Sequence, residues 1–146
     1  MPASRRILVD DRLLIEELLV GLRGTARATL CTTSLWYYRA CRAAMAGAAG
    51  HLSGPFAALD PPRQERAILS LLRLRDDIDL PDNRVAVPAM AEIAQRHPRL
   101  NLLNLEAVAV ATSGGGTVWL SEEAAAGLLP EVLDAEQVRW RMVELR

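Results

Sequence analysis

The sequence predicts a three-layer α/β/α domain built on a central, mostly parallel sheet of four or five strands. Apolar runs of about five residues alternate along the chain with segments whose apolar residues recur every three to four positions. Turn residues punctuate most of the junctions. Short strands joined through helices imply crossover units, whose sheet is parallel and covered on both faces. A hydrophobic share of 51% in 146 residues is ample for one core, so residues 1–146 read as a single domain.

Each element follows in order. "RILVD", ending at Asp10, reads as a strand buried on both faces, and "DRLLIEELLVGL" places Leu14, Ile15, Leu18 and Leu22 at helical spacing before Gly24 stops it. "RATLCTT" is the second strand, and Ser34 is the expected N-cap of a helix through "LWYYRACRAAMAG". Gly50, Ser53, Gly54 and Pro55 make a loop. "PPRQERAILSLLRLRDDI" then starts a helix on its prolines and turns Ile68, Leu71, Leu72 and Ile78 inward. "NRVAVP" reads as the third strand, "PAMAEIAQRHP" as a short helix ending near His97, and "NLLNLEAVAVATSGGG" as a helix stopped by glycines. "TVWLS" is the fourth strand, "EEAAAGLL" a short helix and "VRWRMVEL" a last strand.

Composition narrows the function classes. No run approaches the roughly 18 apolar residues of a membrane span, and "MPASRR" lacks the apolar segment of a signal peptide, so the expected setting is cytoplasmic, away from membranes. Cys31 and Cys41 lack the spacing of a zinc site or a disulfide framework and read as small core residues. His51 and His97 have no partner spacing that suggests a triad. The net charge of −1 singles out no partner, and every basic side chain is Arg. Trp36, Tyr37 and Tyr38, at a helix start, fit a core or dimer interface better than base stacking.

The acids carry the chemical signal. In an open parallel sheet, ligands sit beyond the carboxyl ends of the strands. Asp10 and Asp11 fall at that end of the first strand, and Glu122 and Glu123 at that end of "TVWL". If these strands are neighbours, the carboxylates share an edge, and a hard divalent cation with oxygen ligands relieves their repulsion. Glu106 is the one charge in "LLNLEAVAVAT", a helix apolar on nearly every side, and a buried carboxylate needs a partner. Plainer roles stand beside these: Asp10 or Asp11 as a helix cap, Glu122 and Glu123 in a helix first turn, and Glu106 paired with Arg39 or Arg42.

In the order of these motifs the chain resembles the PIN domains, the fold of VapC-type toxin ribonucleases of bacterial toxin–antitoxin pairs. "ILVDDRLLIEELL" is similar to that family's opening strand, with Asp10 at its first metal-binding acid. "LNLLNLEAVAVA" is similar to the late helix, with Glu106 at its third acid, and "GTVWLSEE" to the strand ending in Thr-x-Asp, with Ser121 and Glu123 in those places. The resemblance implies Mg²⁺- or Mn²⁺-dependent cleavage of RNA, in which one or two metal ions activate a water and stabilise charge on the phosphate. Asp10, Glu106 and Glu123 would be the catalytic acids and, with Asp11, the metal ligands. Arg39 and Arg42 would contact phosphate. An antitoxin protein and a second copy of the chain are the implied partners.

The chain departs from that pattern. The family places a second acid, usually Glu, near the start of the second helix, whereas no carboxylate lies between Glu17 and Asp60 here and Tyr38 or Arg39 stands near that place. An arginine there repels a cation or neutralises Glu106. Asp11 replaces the usual hydroxyl residue, and two expected aspartates are glutamates. The readings left open are a retuned ribonuclease, a catalytically inactive PIN-like module that binds protein or nucleic acid, and an unrelated α/β domain whose acids are helix caps.

Overall fold

The structure, a computed structural model, describes residues 5–48 and 59–145. Strands β1 (Arg5–Val9), β2 (Ala28–Cys31), β3 (Ile78–Asp79), β4 (Thr117–Leu120) and β5 (Trp140–Met142) form one sheet in the order β3-β2-β1-β4-β5. Every pair is parallel, as the alternation of strands and helices predicts. Flanking it are α1 (Asp11–Leu19), α2 (Ser34–Ala48), α3 (Pro61–Leu72), α4 (Asn83–Arg96), α5 (Leu102–Gly114), α6 (Glu122–Ala125) and α7 (Leu129–Ala135).

Side-chain alternation along each strand divides the core in two. Ile7, Val9, Leu30 and Trp119 point to one face, where they meet Leu13 and Leu14 of α1, Ala40 and Ala44 of α2, and Leu71 of α3. Leu8, Cys31, Val118 and Leu120 point to the other and pack with Ile93 of α4, Ala107 and Val108 of α5, and Leu129 and Leu133 of α7. Both faces are covered, which is why the strands read as unbroken apolar runs. The start of α2 reaches across both layers, because Trp36 belongs to the second cluster while Ala40 and Ala44 belong to the first. Among the described residues, no helix is long and apolar enough to cross a membrane.

Several expectations are corrected. "NRVAVP" is not a strand but the first half of α4, capped by the Asp82 side chain, which accepts from the Arg84 N–H. Its valine alternation misleads because Val85 and Val87 face solvent while the small Ala86 is buried. Pro88 lies inside that helix. The third strand is instead Ile78–Asp79, so Ile78 leaves the preceding helix, which ends at Leu72 with that side chain exposed. The N-cap of α2 is Thr33 rather than Ser34: the Thr33 hydroxyl accepts from the Trp36 N–H at 3.0 Å. "EEAAAGLL" contributes only α6, and a separate α7 follows with Pro130 in its first turn, where a missing N–H costs nothing. The loop at Gly50–Pro55 and His51 lie outside the described residues.

Candidate functional site

The strand order reverses between β1 and β4. The chain leaves β1 through α1 on one face and leaves β4 through α6 and α7 on the other, so a crevice opens beyond their carboxyl ends. Four of the acids singled out in the sequence, Asp10, Asp11, Glu122 and Glu123, follow directly on these two strands.

Asp10 is fully buried. One carboxylate oxygen caps α1 by accepting from the Leu13 N–H at 2.9 Å. The other accepts from the Ser121 N–H at 2.8 Å and from the Ser121 hydroxyl at 2.5 Å, tying the end of β1 to the end of β4. Burial pushes the carboxyl above its ordinary value of 3.8, outweighing the hydrogen bonds from Ser121 and Leu13 that favour the charged form. Asp11 is raised by burial and then by the neighbouring Asp10 charge, while Arg39 opposes the shift. The Arg39 Nε lies 3.3 Å from the Asp11 Oδ2.

Glu123 stands in the first turn of α6 and pairs with Arg12 at 2.5 Å. Glu106 finds a partner the sequence did not suggest. Its Oε1 accepts from the Leu35 N–H at 2.7 Å and its Oε2 from the Ser34 N–H at 3.1 Å. Neither Arg39 nor Arg42 neutralises it; the orphan amides at the start of α2 do. A charge only 4% exposed is thereby satisfied as it clamps α5 to α2.

Asp11, Trp36, Arg39, Asn101, Asn104, Ser121 and Glu123 line a cleft of about 190 Å³. A wider cleft of about 570 Å³ lies beside it, lined by Arg12, Ser121, Glu122, Glu123 and Glu144. Arg42 is exposed and is not among the residues lining either. Of the polar residues lining the two clefts, Arg39 was expected from the sequence, whereas Arg12, Asn101 and Asn104 were not. Asn101 was legible, since an Asn ahead of a long apolar run is an N-cap signal, and its side chain does accept from the Asn104 N–H. Tyr37 donates its hydroxyl to the Leu71 carbonyl at 2.8 Å and Trp36 is buried, so both aromatics serve packing, whereas Tyr38 is exposed.

This donor set does not fit a Mg²⁺ or Mn²⁺ centre as folded. Asp10 and Glu106 have both carboxylate oxygens committed to N–H or O–H donors, and Asp11 and Glu123 each face a guanidinium. Among the described residues, no three of His, Cys, Asp and Glu stand together so as to hold a metal ion. Fold and site together define a parallel α/β domain with an ion-paired polar cleft at its topological switch point. No protein-family model matches the chain. No curated protein matches it either.

Proposed function

We propose that the chain is a catalytically inactive PIN-like module that works by binding a protein. One observation carries the reading: at the edge where a nuclease of this kind would gather free carboxylates, Asp10, Asp11, Glu106 and Glu123 are each engaged by the protein's own amides, hydroxyl or guanidinium groups. A divalent ion taking Asp11 and Glu123 as ligands would have to displace Arg39 from the one and Arg12 from the other, and among the described residues no three of His, Cys, Asp and Glu stand together to hold it.

A protein partner fits better than RNA. The chain carries a net charge of −1 and lacks the strongly basic balance typical of a phosphate-backbone footprint. Large exposed apolar side chains concentrate instead on three helices, with Tyr38 and Met45 on α2, Leu69 and Leu72 on α3, and Val85 and Val87 on α4. A second copy of the chain is the simplest such partner.

The alternative, a metal-dependent ribonuclease, is favoured by one feature: Asp10 and Ser121 meet across adjacent strand ends, as the resemblance implies for its first and last motifs. Calorimetric titration of Mn²⁺ separates the two. The proposal expects no saturable heat at millimolar Mn²⁺, with wild type and a folded Asp10→Asn variant alike. Saturable binding that Asp10→Asn abolishes would reverse the conclusion in favour of the nuclease.

A further inference from the structure

We infer that the outward face of α4 is a self-association surface, on which two copies of the chain pack antiparallel about a two-fold axis at Pro88. This rests on the reading that the module works by binding a protein, and it makes a second copy of the chain that protein.

The face is written into the helix. From Val85 to Ala91 the chain reads "VAVPAMA", a stretch without a charged or polar side chain. Ala86 and Ile93 turn toward the core, while Val85, Val87, Pro88 and Ala91 are exposed, the two valines by 53% and 57%. A solvated helix face ordinarily carries polar residues, and valine or a mid-helix proline there lowers helix stability with no burial to offset it. Covering this face returns the burial term that a lone copy lacks.

Charge placement says what covers it. Arg84, Pro88 and Glu92 are spaced four residues apart and form one ridge along the helix. In an antiparallel pair centred on Pro88, Arg84 of each copy lies opposite Glu92 of the other, and Val85 lies opposite Ala91. The face is therefore self-complementary under a two-fold axis, with an apolar centre closed at each end by an ion pair. Both charges are available for this. Among the described residues neither Arg84 nor Glu92 forms an ion pair. Arg96, which feels the Glu92 charge from one turn further on, is bonded to both carboxylate oxygens of Glu136. By contrast, α2 carries Arg39 and Arg42 and no acid, so a two-fold axis there would oppose like charges. With 14 residues, α4 is about 21 Å long, which sets a small interface of under roughly 1,200 Å² in total and a reversible dimer.

Sedimentation equilibrium of the full chain tests this, with circular dichroism showing that each variant is folded. Wild type should dimerise reversibly with a Kd of about 10–100 µM. Arg84→Glu and Glu92→Arg each set like charges against one another at both ends of the pair, and each alone should weaken the dimer at least about tenfold. Mixed in equal amounts, the two variants should associate about as tightly as wild type. The introduced glutamate then faces the introduced arginine at one end, and the native Arg84 and Glu92 face each other at the other. Wild type that stays monomeric up to about 1 mM would overturn the inference and leave the proposed function standing with a different protein as partner. A dimer that neither substitution weakens would overturn it too, as would two weakened variants that fail to associate when mixed, because Arg84 and Glu92 would not then meet across the axis. The proposed function fails on a separate readout: saturable Mn²⁺ binding that Asp10→Asn abolishes overturns that reading whatever the sedimentation result.

Discussion

Asp10 ends an apolar strand, caps the helix that follows and holds the neighbouring strand through Ser121, so one carboxylate does three structural tasks. Burial raises its pKa in the fold above the ordinary 3.8, and the same holds for Asp11. The sign of the consequence is opposite to that of a typical ion-paired carboxylate. The folded chain holds these protons more readily than the unfolded chain, so their contribution to stability is greatest below about 3.8 and is lost as pH rises through the folded pKa. Asp10→Asn, which cannot ionise, should therefore gain stability relative to wild type as pH rises from about 4 to about 7. Urea unfolding at the two pH values measures this, and a difference that stays constant or moves against Asn would contradict it. Glu106 makes the complementary case. Glu106→Gln keeps one acceptor but turns an amide NH₂ toward the other backbone N–H, and should cost about 1–3 kcal/mol by denaturant unfolding. A neutral result would mean that the clamp on α2 contributes nothing.

Among the elements, the turn from α5 into β4 shows how close approach selects glycine. Gly116 has φ +96°, and a Cβ there would lie 2.5 Å from the Arg6 carbonyl oxygen. Gly115, at φ +71°, has open space around it. Gly115→Ala should therefore cost about 1–2 kcal/mol, as a left-handed residue ordinarily does, and Gly116→Ala distinctly more, because β1 and β4 must part to admit the methyl group. Equal losses in thermal unfolding would contradict this. The same elements mark what was legible in the sequence. Strands β1, β2, β4 and β5 and helices α1, α2, α3 and α5 follow from periodicity, with ends shifted by a few residues. The exceptions have local causes. The two-residue β3 is too short to leave a pattern, the exposed valines of α4 imitate a strand, and Pro130 resembles a break while it begins α7.

For the whole molecule, the sheet order decides where the chemistry falls. The acids after β1 and β4 could be named from the chain, but whether they are neighbours depends on the order β3-β2-β1-β4-β5, a long-range property no local pattern encodes. The same holds for their partners. Arg39 is 28 positions from Asp11 and Arg12 is 111 from Glu123, so their ion pairs appear only in the folded chain. The capping role of Asp10 was readable as one of two alternatives, because an Asp before an amphipathic helix is a cap signal. The clamp formed by Glu106 was not, because its partners are backbone amides on another helix.

The central claim is that the protein's own donors engage Asp10, Asp11, Glu106 and Glu123. Anomalous difference density from crystals soaked in Mn²⁺ tests it most directly. The expected result is no Mn²⁺ peak on Asp10, Asp11, Glu106 or Glu123, with the Arg39–Asp11 and Arg12–Glu123 pairs intact. A peak held by Asp10 together with Asp11 or Glu123, with the guanidinium groups turned away, would contradict it.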